Sequence, residues 1–182
     1  PDETAHIVKR VIHTTADLEY AETLYFSENA AQILSQALAE GAHIFTDTQM
    51  ALSGINKKTL AAFGGQVHCF MADEDVARQA RERGVTRACV SMEKAATLSV
   101  PLIFAIGNAP TALLRLDELV REGTVRPRLI IGVPVGFVNV VQSKERIMNA
   151  GVPCIVAKGR KGGSNVAAAI VNAGLYRVTR AE

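Results

Sequence analysis

Short apolar runs alternate with amphipathic stretches along most of the chain. Residues 43–46, 67–71, 101–106, 129–133 and 154–157 are runs of this kind, and their length and near absence of charge predict five buried strands. The stretches between them repeat apolar residues at three- and four-residue spacing, which predicts helices. Strands that alternate with helices form a parallel sheet covered on both faces. The pattern therefore predicts an α/β fold, a three-layer doubly wound domain with a mainly parallel sheet of about five strands.

Cap residues mark where the predicted helices begin and end. Ser27, Asn56 and Asp73 each precede a helical pattern, and side chains of this type accept hydrogen bonds from the first helical turn. Gly41 and Gly84 follow the last apolar positions of two helices, where glycine is the usual stop. Further helices are predicted over residues 7–13, 86–98, 110–122, 138–150 and 165–173. No linker interrupts the pattern, so a single domain over residues 1–182 is expected, and the lack of an initiator methionine suggests a further segment upstream.

Composition and charge narrow the class of protein. The 182 residues are 48% hydrophobic, which suits one globular domain, and 20 basic against 18 acidic residues favour neither a nucleic-acid partner nor a membrane surface. No apolar stretch reaches the roughly 18 residues that a membrane span needs, and no signal peptide opens the sequence. The three cysteines are widely spaced, so reduced thiols and a cytoplasmic location are expected. The histidines and cysteines show no metal-ligand spacing, so no metal site is expected.

The loop at residues 159–164 carries the strongest local signal for ligand binding. Its three glycines allow close backbone approach, Arg160 and Lys161 supply adjacent cations, and Ser164 begins a helix whose positive dipole end favours anions. The residue order is neither that of a Walker loop nor that of a dinucleotide-binding glycine fingerprint. The loop is predicted to bind a carboxylate or a phosphate, and the alternative is a flexible basic turn at the surface.

Two more glycine-containing turns follow predicted strands. In the turn at 107–111, Asn108 is a cap-type residue and Thr111 suits an early helical position, so backbone N–H groups are expected to point outward to a ligand. In the later Pro-Val-Gly-Phe turn, Gly136 is expected in an unusual backbone conformation and Phe137 in the core. Parallel strands place all three turns at one edge of the sheet, where ligands bind in open α/β folds.

His13 is the residue best suited to move a proton. Histidine titrates near neutrality and both donates and accepts protons, and Thr14 or Thr15 could orient the ring. The alternative is a half-buried histidine at a helix C-terminus, where the helix dipole favours a cation. Arg87 leaves a similar choice open, because it could face the same crevice or begin a solvated helix.

Several short motifs follow one another in a fixed order. They are Arg-Val-Ile-His at 10–13, Gly-Val-Thr-Arg at 84–87, Gly-Asn-Ala-Pro-Thr-Ala-Leu at 107–113, Ile-Gly-Val-Pro-Val-Gly-Phe at 131–137 with Ser-Lys-Glu at 143–145, and Gly-Arg-Lys-Gly-Gly-Ser at 159–164. Together, and over nearly the whole chain, these motifs resemble the precorrin-8X methylmutase (cobalt-precorrin-8 methylmutase) family of corrinoid biosynthesis.

The resemblance implies an isomerase that moves a methyl group between adjacent carbons of ring C of precorrin-8, giving hydrogenobyrinate or its cobalt form, without a cofactor. It implies His13 as proton donor and acceptor, Arg10 as a substrate-binding arginine, and a homodimer. The substrate is an anionic tetrapyrrole, a flat apolar ring fringed by carboxylates. Further substrate contacts are expected from Thr14, Arg87, Asn108, Thr111, Gly136, Arg160, Lys161 and Ser164. Two other functions stay open, a non-catalytic corrinoid-binding carrier and a doubly wound nucleotide-binding protein.

Overall fold

A computed structural model describes residues 2–180, in which ten helices and six strands follow one another. The helices are α1 (Asp2–Thr15), α2 (Tyr20–Thr23), α3 (Ala30–Ala39), α4 (Gln49–Gly54), α5 (Lys57–Ala62), α6 (Glu74–Arg83), α7 (Arg87–Ala96), α8 (Pro110–Arg121), α9 (Val140–Met148) and α10 (Ser164–Arg180). The strands are β1 (Leu24–Phe26), β2 (His43–Thr46), β3 (Val67–His68), β4 (Leu102–Ile106), β5 (Leu129–Gly132) and β6 (Cys154–Ala157).

The six strands form one sheet in the order β1-β6-β5-β4-β2-β3. Every neighbouring pair is parallel except β1 with β6, which run antiparallel with Leu24 opposite Ala157. The strand order reverses between β2 and β4, since β3 lies on one side of β2 while β4, β5 and β6 extend from the other. This is one of the common orders of doubly wound folds, so the predicted fold class is confirmed.

The number of strands differs from the five predicted. Strand β1 is an addition, and its three residues are only half-buried at the edge of the sheet. A run this short, directly after the four-residue helix α2, is below the length at which an apolar run indicates a strand. Strand β3 is shorter than predicted, because only Val67 and His68 pair with β2.

Helices cover both faces of the sheet, and alternate strand residues show which helices lie on which face. In β4, Ile103 and Ala105 pack with residues of α1, α3 and α10. Leu102, Phe104 and Ile106 of the same strand pack with residues of α7, α8 and α9. All five side chains are buried, and this explains why the strand is a continuous apolar run with no polar alternation. The three-layer prediction is therefore confirmed.

Local cap signals are confirmed at some helices and wrong at others. The Asn56 side chain accepts a hydrogen bond from the Thr59 N–H, and Gly84 ends α6 with a φ of 65°. Ser27 does not cap α3, because its hydroxyl accepts the Cys154 N–H of β6 at 2.8 Å. Asp73 does not cap α6 with its side chain, because the carboxylate binds Lys94 Nζ at 2.8 Å. Tertiary partners outcompete the local cap at both positions.

Helix α10 continues well beyond the predicted 165–173. Gly174 lies in its middle, where glycine has no local advantage over alanine. A Cβ on Gly174 would lie 2.8 Å from Leu34 Cγ, so the missing side chain lets α10 pack closely on α3. The second half of α10 then lies against α1, which matters for the site described below.

We expect Gly174→Ala to lower the free energy of unfolding by about 1–2 kcal/mol, because the new methyl group overpacks the contact with α3. Helix propensity alone would predict the opposite sign, because alanine is about 1 kcal/mol more favourable than glycine in a helix interior. Urea unfolding measures the change. In a Leu34→Ala background the loss should be smaller but not absent, because the new Cβ would still lie 2.9 Å from Leu38 Cδ1, and an equal loss in both backgrounds would contradict the close contact with Leu34.

Candidate active site

The three glycine-containing turns meet at one edge of the sheet, as predicted. The Gly163 N–H donates to the Val133 carbonyl at 2.9 Å, and the Gly136 N–H donates to the Arg160 carbonyl at 3.2 Å. Gly107 approaches the third turn so closely that a Cβ would lie 2.7 Å from Ser164 Cα. The turns after β4, β5 and β6 therefore form one connected surface.

A buried carboxylate occupies the amides of the turn after β4. Asp47, only 2% exposed, accepts hydrogen bonds from the N–H groups of Gly107, Asn108 and Ala109 at 2.9, 2.9 and 2.6 Å. Burial raises the pKa of Asp47, and the three amide donors act in the opposite direction. The expectation that these N–H groups point outward to a ligand is wrong, because the protein supplies the anion itself. Helix α8 begins next to this turn without a side-chain cap of its own.

The predicted polar residues at this edge differ in what their side chains contact. The Ser164 hydroxyl is hydrogen-bonded to the Thr48 hydroxyl at 2.7 Å, and Thr48 also caps α4. The Thr111 hydroxyl accepts from Thr86 at 3.3 Å, whereas Asn108 is exposed. The side chains of Thr111 and Ser164 therefore connect the turns at this edge, whereas the side-chain amide of Asn108 lies at the surface.

The buried side chain of Lys144 binds the loop at 159–164 from the interior of the protein. Its side chain is 1% exposed, and Nζ donates to the carbonyls of Gly159 at 2.7 Å and Lys161 at 2.9 Å. Burial lowers the pKa of Lys144 to about 8. The sequence pattern places this lysine on an amphipathic helix like any surface lysine, so nothing in its local sequence signals this role.

The two cations of the same loop have different surroundings. Lys161 Nζ binds the carboxylates of Asp17 at 2.8 Å and Glu19 at 2.6 Å, and these hydrogen bonds raise the pKa of Lys161. The Arg160 guanidinium lies 5.8 Å from the centre of the Phe137 ring and forms no ion pair within residues 2–180. Arg160 is thus free to meet an anion, whereas Lys161 already has two.

Phe137 lies at the surface, 84% exposed, so the expectation that it belongs to the core is wrong. Val135 and Val138 beside it are also exposed, and Gly136 adopts a φ of 134° that turns the chain outward. Val133 and Pro134, which precede them, are buried, so the chain leaves the core after residue 134. The result is an apolar ledge of Val135, Phe137 and Val138 next to the guanidinium of Arg160.

A crevice of about 640 Å³ lies between α1 and the second half of α10. From α1 it is lined by Asp2, Ala5, His6, Lys9, Arg10, His13 and Thr14, and from α10 by Ala173, Tyr176, Arg177 and Arg180. The Arg10 guanidinium lies 4.4 Å from the centre of the Tyr176 ring, which orients it along the crevice. The volume is in the range of small-molecule sites, and the lining is strongly basic.

His13 is exposed in this crevice, on the last turn of α1. No hydrogen bond or ion pair engages its ring in the part of the chain that the structure describes. Thr15 does not orient it, because the Thr15 hydroxyl donates to the Val11 carbonyl and accepts the Asp17 N–H. The ring lies at a helix C-terminus, as the alternative expects, but it is exposed and not half-buried, so it is accessible to a ligand.

The predicted site residues fall into two groups. Arg10, His13 and Thr14 line the crevice, while the others lie along the carboxyl edge of the sheet: Arg87, Asn108, Thr111, Gly136, Arg160, Lys161 and Ser164. The ion pairs of Lys161 with Asp17 and Glu19 join the groups, since Asp17 follows His13 by four residues. Arg87 is exposed and donates to the Met71 carbonyl at 3.5 Å. Asp47 and Arg177 belong to this region although no motif includes them, and the Ser-Lys-Glu motif contains Lys144 without indicating that its side chain is buried.

Comparison with known proteins places the chain in a family. A model of the precorrin-8X methylmutase family matches residues 1–177. The chain belongs to this family. It is 49% identical to the cobalt-precorrin-8 methylmutase of Salmonella typhimurium, over 96% of the chain and 82% of that protein, and 44% identical to that of Priestia megaterium, over 94% and 76%. The crystal structure of the precorrin-8X methylmutase of Thermus thermophilus matches with a TM-score of 0.89 and 38% identity, covering 98% of this chain and 87% of that one.

As a member of this family, the chain is an isomerase of cobalamin biosynthesis. Such enzymes transfer a methyl group within one tetrapyrrole. Among residues 2–180, no helix is both long and apolar enough to cross a membrane. The same residues contain no cluster of three or more histidine, cysteine or acidic side chains placed to hold a metal ion.

We expect Asp47→Ala to lower the free energy of unfolding by about 3 kcal/mol, because it leaves three N–H groups without an acceptor. Urea unfolding measures the loss. The matched control is Asp73→Ala, which removes a partly exposed ion pair with Lys94 and should cost about 1 kcal/mol or less. Equal effects of the two substitutions would contradict the role of Asp47 at the turn.

Lys144 should give the stability a specific pH dependence. Folding lowers its pKa from 10.5 to about 8, so between these values the unfolded chain keeps a proton that the folded chain has released. Unfolding then takes up a proton, and raising the pH through this window stabilises the folded chain, by up to about 3 kcal/mol from this group. The measurement is the difference in unfolding free energy between the unsubstituted protein and Lys144→Met from pH 7.5 to 10.5. A difference that stays flat over this range would contradict the burial of a charged Lys144.

Proposed function

We propose that the chain converts precorrin-8, or its cobalt form, to hydrogenobyrinate, or its cobalt form, with His13 as proton donor and acceptor. The observation that carries the proposal is the position of His13, exposed and unpartnered within residues 2–180, in a basic crevice of a chain that belongs to the methylmutase family. Histidine is the side chain that gives and takes protons most readily near neutral pH.

The reaction conserves all atoms, so only a transient proton is needed. His13 gives a proton to a ring nitrogen of the bound tetrapyrrole, which draws electron density from the neighbouring carbons. The methyl group leaves one carbon of ring C as it bonds to the next, and the proton returns to His13. General acid catalysis of this kind contributes about 10²–10⁴-fold to a rate. The remaining acceleration must come from holding the ring in a reactive shape.

The electrostatics of the site suit a polyanionic macrocycle better than a nucleotide. Arg10 and Arg160 form no ion pair in the described part of the chain and can meet carboxylates at the rim of the ring. The ledge formed by Val135, Phe137 and Val138 offers an apolar surface to the flat face of the ring. The amides of the turn after β4, which would be the natural phosphate cradle, are taken by Asp47. We assign Thr14, Arg87, Asn108, Thr111, Gly136, Lys161 and Ser164 to the surroundings of the substrate.

The substrate with cobalt already inserted is the first choice. The relatives from Salmonella typhimurium and Priestia megaterium are both named for cobalt-precorrin-8. We further propose a homodimer that acts in the cytoplasm. The dimer is supported by the adjacent side chains of Phe137 and Val138, which are 84% and 77% exposed, because neighbouring large apolar side chains at the surface favour a contact with another chain.

The test of this function offers both substrate forms to the purified protein and follows the absorption change to product. His13→Asn should lower kcat by about 10²–10⁴-fold while product affinity, titrated by absorption, changes less than about threefold, because the loss falls on proton transfer. Full turnover by His13→Asn would remove the role assigned to His13.

The same experiment separates the alternative functions. A carrier would bind the product tightly but leave precorrin-8 and its cobalt form unchanged. A nucleotide-binding protein would release heat on titration with ATP or NAD in calorimetry and would not bind hydrogenobyrinate. Turnover of either substrate form excludes both alternatives for this chain.

A further inference from the structure

The α10 wall of the crevice carries cations that the proposed reaction leaves unused. Arg177 and Arg180 line the crevice from α10, and Lys9 faces them from α1 beside Arg10. Within residues 2–180 none of these four side chains forms an ion pair, and the only acidic residue in the lining is Asp2. Side chains of one sign gathered in a concave site repel one another and attract a counter-charge.

The helix dipole does not account for this arrangement. Basic residues in the last turn of a helix interact favourably with its negative end, which explains Arg177 and Arg180 taken alone. It does not explain Lys9 and Arg10, which come from another helix and lie in the same crevice. Two helices that direct cations into one space indicate a site for an anion.

His6 provides an independent observation. Both of its ring nitrogens are shielded from solvent and have no hydrogen-bond partner among the described residues. Burial and then the nearby charge of Arg177 lower the pKa of His6, so the ring is neutral and keeps one N–H to donate. Buried polar atoms normally have partners, and this unpartnered N–H belongs to a residue that lines the basic crevice, so a small rotation of the ring would offer it to a ligand there.

The spacing of these groups fits a large ligand. His6 and His13 lie on one face of α1, seven residues apart, which is about 10 Å along the helix axis at 1.5 Å per residue. Arg177 lines the same crevice, near enough to His6 for its charge to lower the pKa of the ring. A macrocycle whose ring nitrogen meets His13 can therefore reach the end at His6 with a carboxylate on its rim.

We infer that Arg177, with His6 beside it, forms a subsite that binds a side-chain carboxylate of the tetrapyrrole at the far end of the crevice from His13. The subsite rests on the proposed function, since it needs the substrate in the crevice. The guanidinium makes paired hydrogen bonds to the carboxylate, and the His6 N–H adds a third once its ring rotates toward the crevice. Arg177 contributes to binding and not to proton transfer, because it lies away from the reacting carbons.

The experiment compares Arg177→Gln with the unsubstituted protein. Affinity for hydrogenobyrinate, titrated by absorption, should fall about 10- to 100-fold, and KM for precorrin-8 should rise by a similar factor while kcat changes less than threefold. Arg177→Lys should recover part of the affinity but not all, because lysine lacks the paired geometry. With hydrogenobyrinate whose side-chain carboxylates are methyl-esterified, the two proteins should bind alike. The matched control is Arg78→Gln, an exposed arginine on α6, which should change neither constant.

Three outcomes would overturn the subsite. If the unsubstituted protein turns over precorrin-8 and Arg177→Gln keeps the same KM and product affinity, only the subsite fails. If the loss persists with the esterified product, Arg177 does not act through a carboxylate. If light scattering shows that Arg177→Gln changes the oligomeric state while product affinity stays the same, the crevice is covered by a second copy. Failure of the unsubstituted protein to bind or convert any corrinoid would instead remove the proposed function, and the subsite with it.

Discussion

A single buried carboxylate sets the geometry of the carboxyl edge of the sheet. Asp47 follows β2 and binds three amides of the turn after β4, and these two strands are neighbours at the point where the strand order reverses. In doubly wound folds the loops diverge there and open the crevice in which a ligand binds. Here the protein's own anion fills the amide cradle at this point. These amides are therefore not available to an external anion, and the proposed substrate contacts lie farther out, at Arg160 and in the crevice of α1 and α10.

The loop at 159–164 is fixed from two sides by charge. Lys144 binds two of its carbonyls from the interior, and the Lys161 side chain reaches Asp17 and Glu19 in the turn that follows α1. Two surface ion pairs contribute little to stability, but they define where the turn lies relative to the loop. The turn comes directly after the helix that carries His13. The ion pairs of Lys161 thus fix the position of the loop at the sheet edge relative to the end of the helix that carries His13.

Local sequence predicts this fold well and this site only in part, for a physical reason. Strand β4 and the Asn56 cap could be predicted because their signals lie within a few residues: a continuous apolar run and a side chain three positions from its donor. Asp47 and Lys144 could not, because their partners lie 60 and 15 residues away and the carboxylate or ammonium looks locally like a surface group. The hydrophobicity of Phe137 predicts a place in the core, but the positive φ of the glycine before it turns the chain outward.

Helix α1 shows how one element can serve the core and the reaction together. Ile7 and Val11 are fully buried and fix the rotation of the helix against α10 and α3, which directs Arg10 and His13 into the crevice. The ring of Tyr176 fixes the Arg10 guanidinium from the other wall. A methyl shift within one molecule needs no atom from the protein, and the proposed proton transfer by His13 would supply only about 10²–10⁴-fold. Most of the acceleration must therefore come from preorganised contacts, and a rigid helix anchored in the core provides them better than a loop does.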